Sequence, residues 1–290
     1  MNTIYEPSVY LVGATQMKDA GVEDFLEAHK ITTWVPGTGG HCSEGESVIE
    51  VGGRLCYMSF EKPRPGGNRA YIHHIKEVGH GSVLEHSTYN FIFTGISRTL
   101  THELVRHRVG MSYSQLSQRY VDESVAEYVV PHDLKEEVKA AVSQEALVDK
   151  NPDDQLKMIE AGRAWLAAVS LCHASYIQLT DYLFNKIKSQ AVGEVNTQEQ
   201  RTAMRKVARQ AARSVLPNAT ETKIMVTANT RSLRHFIELR ASRHAEPEIR
   251  KLAHAVWREL IAHSPNSFGD YTETLLSDGT YELTTPYKKV

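Results

Sequence analysis

The sequence predicts an α+β fold, rich in helix and poor in strand, in a single domain spanning 1–290. Three observations predict it. Long segments at 154–189, 198–215 and 247–261 carry apolar residues at three- and four-residue spacing. A few short segments alternate instead, most clearly 87–94. No repeat, low-complexity tract or linker divides the 290 residues, a length that suits one large domain or two small ones.

Each element follows from local residues. Val9-Tyr10-Leu11-Val12 is an apolar run closed by Gly13 and predicts a strand. Residues 21–29 predict a short helix. Pro36, Gly37, Gly39, Gly40 and Gly45 mark 35–48 as a loop or the loop-bound start of a helix. Residues 63–68 form another turn-rich break, and 68–78 reads as a helix stopped by Gly79 and Gly81. Tyr89, Phe91 and Phe93 alternate with Thr88, Asn90 and Ile92, a strand pattern. Ile96, Leu100 and Leu104 recur at four-residue spacing and predict a helix running into Arg106, with Gly110 just past its end. Residues 133–150 predict an exposed helix. In the helix over 154–189, Ile159, Leu166, Val169, Tyr176, Ile177 and Phe184 mark the buried stripe. The helix over 198–215 stops before Pro217, and 223–228 can be a strand. Helical spacing returns over 229–240. Pro247 suits the first turn of a last long helix with Ile249, Leu252, Val256, Leu260 and Ile261 on one face.

An apolar content of 41% permits a core without staples, and three widely spaced cysteines, Cys42, Cys56 and Cys172, suggest reduced thiols rather than a disulfide framework. A start without a basic region or an apolar stretch, and no run of membrane-spanning length, lead us to expect a cytoplasmic protein outside the membrane. The net charge of −2 gives no global attraction for nucleic acid. Two basic stretches stand out locally: Arg201, Arg205, Lys206, Arg209 and Arg213, and then Arg231, Arg234, Arg240 and Arg243. Basic segments in a near-neutral chain suit a small anionic ligand.

The most informative stretch is 106–120, Arg-His-Arg-Val-Gly-Met-Ser-Tyr-Ser-Gln-Leu-Ser-Gln-Arg-Tyr. Dense fork-shaped donors suit phosphates or a flat, carbonyl-rich ring. Arg106 and Arg108 splay to different sides of a helix. His107 can change charge near neutrality, although spacing alone favours a surface histidine at a helix end. Ser112, Ser114, Gln115 and Ser117 can form a phosphate-cradling loop or a polar turn that caps a helix. In Gly79-His80-Gly81-Ser82-Val83-Leu84-Glu85-His86, the two glycines allow close approach of a ligand, and the histidines match no metal-binding spacing, so no metal is expected. On the helix at 229–240, Arg231, His235 and Glu238 share a face and Arg240 falls outside it. From spacing alone that helix is an ordinary one with a charged side.

Together these stretches resemble the flavin-dependent thymidylate synthases, the ThyX family. The resemblance rests on Arg106-His107-Arg108 followed by Ser114-Gln115-Leu116-Ser117-Gln118-Arg119-Tyr120, on Gly81 to His86, on Leu216 to Thr222, on Arg234-His235-Phe236 and on Leu239-Arg240-Ala241. It covers roughly residues 50–265. Two departures stand out. The spacer Val109 to Leu116 is one residue longer than usual, and Gly110 can absorb the extra residue. Glu246-Pro247 replaces a frequent glutamine–aromatic pair.

The resemblance implies a small, mostly antiparallel sheet flanked by long helices, assembled as a homotetramer. It implies a methyltransferase flavoprotein of nucleotide biosynthesis that converts dUMP to dTMP. The co-substrates would be methylenetetrahydrofolate and NADPH, the cofactor FAD, and no cysteine nucleophile would be used. Ser82, Arg106, His107, Arg108, Gln115, Asn229, Thr230, Arg231 and His235 would hold FAD. Glu103, Leu104, Val105, Arg106, Gln115, Leu116, Ser117, Gln118, Arg119, Arg213 and Arg240 would hold dUMP, and Arg240 would activate it. Another flavoprotein acting on a different nucleotide, and a non-enzymatic RNA- or nucleotide-binding protein, are the rival classes.

Overall fold

The computed structural model describes residues 2–38, 40–62, 64–143, 151–191 and 197–288. The elements in order are β1 (Thr3–Ile4), β2 (Ser8–Ala14), α1 (Asp19–Ala28), α2 (Glu44–Tyr57), α3 (Gly67–Glu77), β3 (Thr88–Ser97), α4 (Arg98–Leu104), β4 (Met111–Gln115), β5 (Tyr128–Val129), α5 (Lys135–Ser143), α6 (Pro152–Gln190), α7 (Gln198–Ala212), β6 (Glu221–Asn229), α8 (Thr230–Arg240), α9 (Pro247–His263), α10 (Pro265–Phe268), β7 (Thr272–Leu275) and β8 (Tyr281–Thr284). This is the α+β content that the sequence predicts. The chain forms two compact units. The larger comprises Pro7–Phe93, Glu103–Ser114 and Ile224–Val290, and the smaller comprises Met1–Glu6, Thr94–His102 and Gln115–Lys223.

The larger unit is built on a four-stranded sheet of order β2-β3-β6-β4, whose last three strands each run on into residues of the smaller unit. Strand alternation fixes its core. Tyr89, Phe91 and Phe93 of β3 and Ile224, Val226 and Ala228 of β6 are all buried, while their neighbours along each strand are more exposed. Helix α9 buries Ile249, Leu252, Val256 and Leu260, as its spacing predicts, and α8 buries Leu233, Phe236 and Ile237. Each such side chain contributes roughly 1.5–3 kcal/mol. Helix α2 starts where Ser43 accepts from the Glu46 amide and the Glu46 carboxylate accepts in return from the Ser43 amide. The chain ends in an antiparallel hairpin, β7–β8, that sequence reading does not anticipate.

In the smaller unit β1 and β5 pair in parallel. Helices α5 and α7 pack on the 39-residue α6. Only Gly162, Val169 and Tyr176 of α6 are fully buried, one every seven residues. A Cβ on Gly162 would lie 2.1 Å from the Glu137 carbonyl, so glycine is what lets α5 and α6 approach so closely. The expected stripe is therefore too wide: Ile177 is exposed, and Ile159, Leu166 and Phe184 are only partly covered. The seam that α6 buries is narrow, one residue every seven, so the flanking apolar residues stay partly exposed.

Other expectations change at their edges. Ile96 belongs to β3, not to the following helix, which spans only Arg98–Leu104. Residues 112–115 form strand β4 rather than a loop. The exposed helix expected over 133–150 is α5, and its residues 144–150 lie outside the described ones. The break expected at 63–68 is shorter, because α3 begins at Gly67.

Candidate active site

A cleft of about 620 Å³ opens in the larger unit, lined by the segment after α4 and by one side of α8. Arg106, His107, Arg108, Arg231, His235 and Arg240 all line it. Val109, Met111 and Leu239 add an apolar wall and Glu85 a carboxylate. Four guanidinium groups against one lining carboxylate make the cleft strongly cationic.

Local structure explains how these groups converge. Helix α4 ends at Leu104, and the Tyr113 hydroxyl lies 2.9 Å from the Leu104 carbonyl and 2.6 Å from that of His107. The chain then turns: the Met111 amide donates to the Arg108 carbonyl, with Gly110 at φ 67°. Only glycine fits there, because a Cβ would lie 2.3 Å from Ser232 Oγ and 2.4 Å from Asn229 Nδ2. Ser232 Oγ donates to the Val109 carbonyl at 2.7 Å, and the Asn229 amide donates to the Gly110 carbonyl at 3.2 Å. The residues around the lengthened spacer are thus pinned to the N-terminus of α8, which sets the cationic groups of both segments side by side.

Arg240 is the most constrained of them. Its Nε donates to His107 Nε2 at 3.0 Å, and its Nη1 pairs with Glu103 Oε2 at 2.6 Å. Both partners of that ion pair are mostly buried. Burial pushes the His107 imidazole down to about 4, and the Arg240 and His235 charges push the same way. His107 is therefore a neutral acceptor at physiological pH. Its ring meets Phe236 edge-on at 5.4 Å. Burial and the neighbouring Glu246 carboxyl push the Glu103 carboxyl up, against Arg240 and Arg106. Arg231 pairs with Glu85 at 2.6 Å. The Arg108 side chain has no hydrogen bond or ion pair among the described residues.

The expected FAD set divides. Arg106, His107, Arg108, Arg231 and His235 share the cleft. The Asn229 side chain instead caps α8 by accepting from the Ser232 amide, and buried Thr230 bonds the Ser87 carbonyl. Ser82 is exposed in the 3-10 turn Gly81–His86 and does not line the cleft. Of the expected dUMP set, Glu103, Leu104, Val105, Arg106 and Arg240 lie in the larger unit, with the Leu104 side chain in the core. Gln115 to Arg119 and Arg213 lie in the smaller unit. There the Gln115 amide nitrogen donates to Thr101 and Thr222 hydroxyls, Gln118 is buried, and the Ser117 carbonyl accepts from the Tyr120 and Val121 amides. The buried Nε of Arg119 has no partner among the described residues.

The basic stretches also divide. Arg234 is buried against Asp270 and Arg243 pairs with Glu282, so neither joins Arg231 and Arg240 in the cleft. Glu238, which sequence spacing puts on the face of Arg231 and His235, does not line the cleft, whereas Arg240 does, from the last helical residue on a long side chain. The sequence assigns no role to Tyr113, and Glu246 enters it only as a departure from the ThyX pattern. The odd spacing Met111, Tyr113, Gln115 was the available signal for a strand aiming Tyr113 inward.

This architecture and cleft define an α+β protein whose cationic, partly apolar cleft suits an anionic ligand with a flat body. Over residues 40–266 the chain matches the Thy1 family model, described as thymidylate synthase complementing protein, and it belongs to that family. It is 46% identical over 244 residues to a flavin-dependent thymidylate synthase of Mycobacterium sp. (strain JLS), covering 83% of this chain and 86% of that protein. Its identity to the flavin-dependent thymidylate synthase of Mycobacterium leprae (strain Br4923) is 45% over the same shares. The fold is similar to that of a crystal structure of a UMP/dUMP methylase, PolB from Streptomyces cacaoi, bound with 5-Br dUMP. The TM-score is 0.60 at 19% identity, over 93% of this chain and 96% of that one. Among the described residues no helix is long and apolar enough to cross a membrane.

Proposed function

We propose that this chain is a flavin-dependent thymidylate synthase, converting dUMP to dTMP with a methylene group from methylenetetrahydrofolate. NADPH is the proposed source of the reducing equivalents, and bound FAD supplies the hydride. The observation that carries the reading is the cationic cleft in which Arg240 is held by neutral His107 and by Glu103. Family membership and the names of its relatives support it.

The donor set suits the cofactor. Arg106, Arg108 and Arg231 are forks for a diphosphate, and Val109, Met111 and Leu239 offer an apolar surface to a flat ring. His107, His235 and, by resemblance, Ser82, Gln115, Asn229 and Thr230 complete the proposed FAD set. The substrate set is Glu103 to Arg106, Gln115 to Arg119, Arg213 and Arg240, with Arg240 as the catalytic residue. Arg240 cannot lose its proton, so it holds a fixed positive charge against the carbonyl edge of uracil, where negative charge develops. A neutral His107 orients that guanidinium without repelling it. The free thiols Cys42, Cys56 and Cys172 do not line the cleft, in keeping with chemistry that needs no cysteine nucleophile. The family match runs through both units, which supports one synthase domain over 1–290. By resemblance the chain assembles as a homotetramer and works in the cytoplasm.

The test is product analysis after the protein is mixed with dUMP, methylenetetrahydrofolate, FAD and NADPH. The reading requires dTMP, and requires that omitting dUMP, methylenetetrahydrofolate or NADPH stop it. NADPH oxidation without dTMP would mark a different flavoprotein. Ser117→Ala is expected to weaken dUMP binding several-fold through loss of one phosphate donor, about 0.5–1.5 kcal/mol, while FAD affinity holds. Calorimetric titration of wild type and variant with each ligand checks it, and matching dUMP curves would remove Ser117 from the site.

A further inference from the structure

A second cavity of about 620 Å³ lies in the larger unit and shares no lining residue with the cationic cleft. One helix face gives it a basic wall. Arg69, His73 and Lys76 of α3 follow one another at four- and three-residue spacing, and all three line the cavity. Ile261 near the end of α9, and Pro286 and Tyr287 after β8, add apolar and aromatic surface. Asp270 is the one acid in the lining among the described residues.

Lys76 is the buried member of that wall. Its side chain is 3% exposed, and its Nζ donates to the Asn266 carbonyl at 2.8 Å and to Asp270 Oδ1 at 2.7 Å. An ammonium has three donors, so one is left over. Asp270 also takes both terminal nitrogens of the Arg234 fork, so a single carboxylate serves two buried cations. Glu46, the other carboxylate that acts on Lys76, accepts from the Ser43 and Ser267 amides instead. Positive charge is thus in excess inside the protein, and burial pulls the Lys76 ammonium below its ordinary range. Arg69 is exposed, and its guanidinium has no hydrogen bond or ion pair among the described residues. His73 Nε2 lies 2.8 Å from the Tyr287 hydroxyl and the two rings meet edge-on, which holds the aromatic ring beside the basic wall.

We propose that this cavity is a second ligand site, which takes a small phosphate ester of nucleoside-monophosphate size. The unpaired Arg69 fork matches two phosphate oxygens, and the spare Lys76 donor, with excess charge behind it, favours a dianion. The volume is more than inorganic phosphate fills and lies within the range of small-molecule pockets, roughly 300–1,000 Å³. Tyr287, Pro286 and Ile261 offer the rest of such a ligand a wall that is apolar and partly aromatic. The site goes beyond the synthase reading and does not depend on it, since it uses no residue of the cationic cleft.

Calorimetric titration with adenosine 5′-monophosphate, on protein preloaded with FAD and dUMP to fill the cleft, tests this. One saturable site per chain is expected, competed by inorganic phosphate. Arg69→Ala is expected to weaken it about ten-fold or more, through loss of charged hydrogen bonds to phosphate, and Arg69→Lys to restore part of the loss. Arg69→Ala is also expected to melt with the wild type and to make dTMP at the wild-type rate, which separates a binding loss from a folding defect. Equal affinities in wild type and Arg69→Ala overturn the proposal, and so does failure of inorganic phosphate to compete. Binding seen only when FAD and dUMP are absent marks the cationic cleft and overturns it as well. A protein that makes no dTMP yet binds the nucleotide through Arg69 rejects the synthase reading and leaves this site standing.

Discussion

Arg240→Ala is expected to remain folded, to keep its flavin and to lose dTMP formation, with kcat/KM for dUMP falling by roughly 100- to 1,000-fold, about 2.7–4 kcal/mol. The size follows from what the residue is asked to do. It is the one guanidinium in the cleft that is fixed at both Nε and Nη1, so its charge is aimed before any ligand arrives. A preorganised charge in a dry site stabilises a developing negative charge far better than mobile water does. Folding survives because the abandoned Glu103 side chain is 25% exposed and can be solvated. Its carboxyl is already pushed up by burial and by Glu246, so it can also take a proton. Steady-state dTMP assays and the visible absorbance of the purified variant check both halves. Turnover within a few-fold of wild type would take Arg240 out of the chemistry.

Asp270→Asn is expected to leave the chemistry in place and damage the fold, costing about 3–5 kcal/mol. Asp270 is the shared counter-charge of two buried cations. Its Oδ1 lies 2.7 Å from Lys76 Nζ and 2.7 Å from Arg234 Nη1, and its Oδ2 lies 2.9 Å from Arg234 Nη2. The Lys76 and Arg234 side chains are only 3% and 2% exposed. An amide of the same shape keeps some hydrogen bonds and strips the charge, so two cations remain buried without their carboxylate. A thermal midpoint lower by roughly 10 °C is the expected readout, and an unchanged midpoint would contradict it.

The pH dependence has a definite sign. Burial pushes the Asp270 carboxyl up, but the Arg234 fork and the Arg234 and Lys76 charges outweigh it and hold the group well below the usual carboxylate range. A depressed acid contributes stability above its unfolded value, about 3.9, and loses it as pH falls through the folded value. Acid unfolding of the wild type therefore carries this component below about pH 4, and the variant lacks it.

Much of the fold was legible because periodicity reports burial. Helix α9 and its Pro247 start, helix α8, and the aromatic alternation of β3 all follow from one amphipathic face each. Errors arose where a pattern fits two periods. Ile96 sits four residues before Leu100, but it also continues the strand, and the buried sheet claims it. Ser112 and Ser114 read as loop because their alternating partners, Met111, Tyr113 and Gln115, are not uniformly apolar. Capping was readable and passed over at Ser43-Glu44-Gly45-Glu46.

The candidate site was legible only in part from residue chemistry. Arginine density pointed to an anion, yet it could not separate Arg231 and Arg240, in the cleft, from Arg234, in the core. What separates them is Asp270, distant in sequence and uninformative by itself. Arg240 was assigned by family resemblance, since helical spacing put it off the shared face.

The central claim is that the cationic cleft after α4 holds a flavin. The visible absorption spectrum of the purified, FAD-supplemented and desalted protein tests it most directly. The account predicts a yellow protein with stoichiometric FAD absorbance, bleached by NADPH and restored by air. A colourless protein that releases all added FAD on desalting would contradict it.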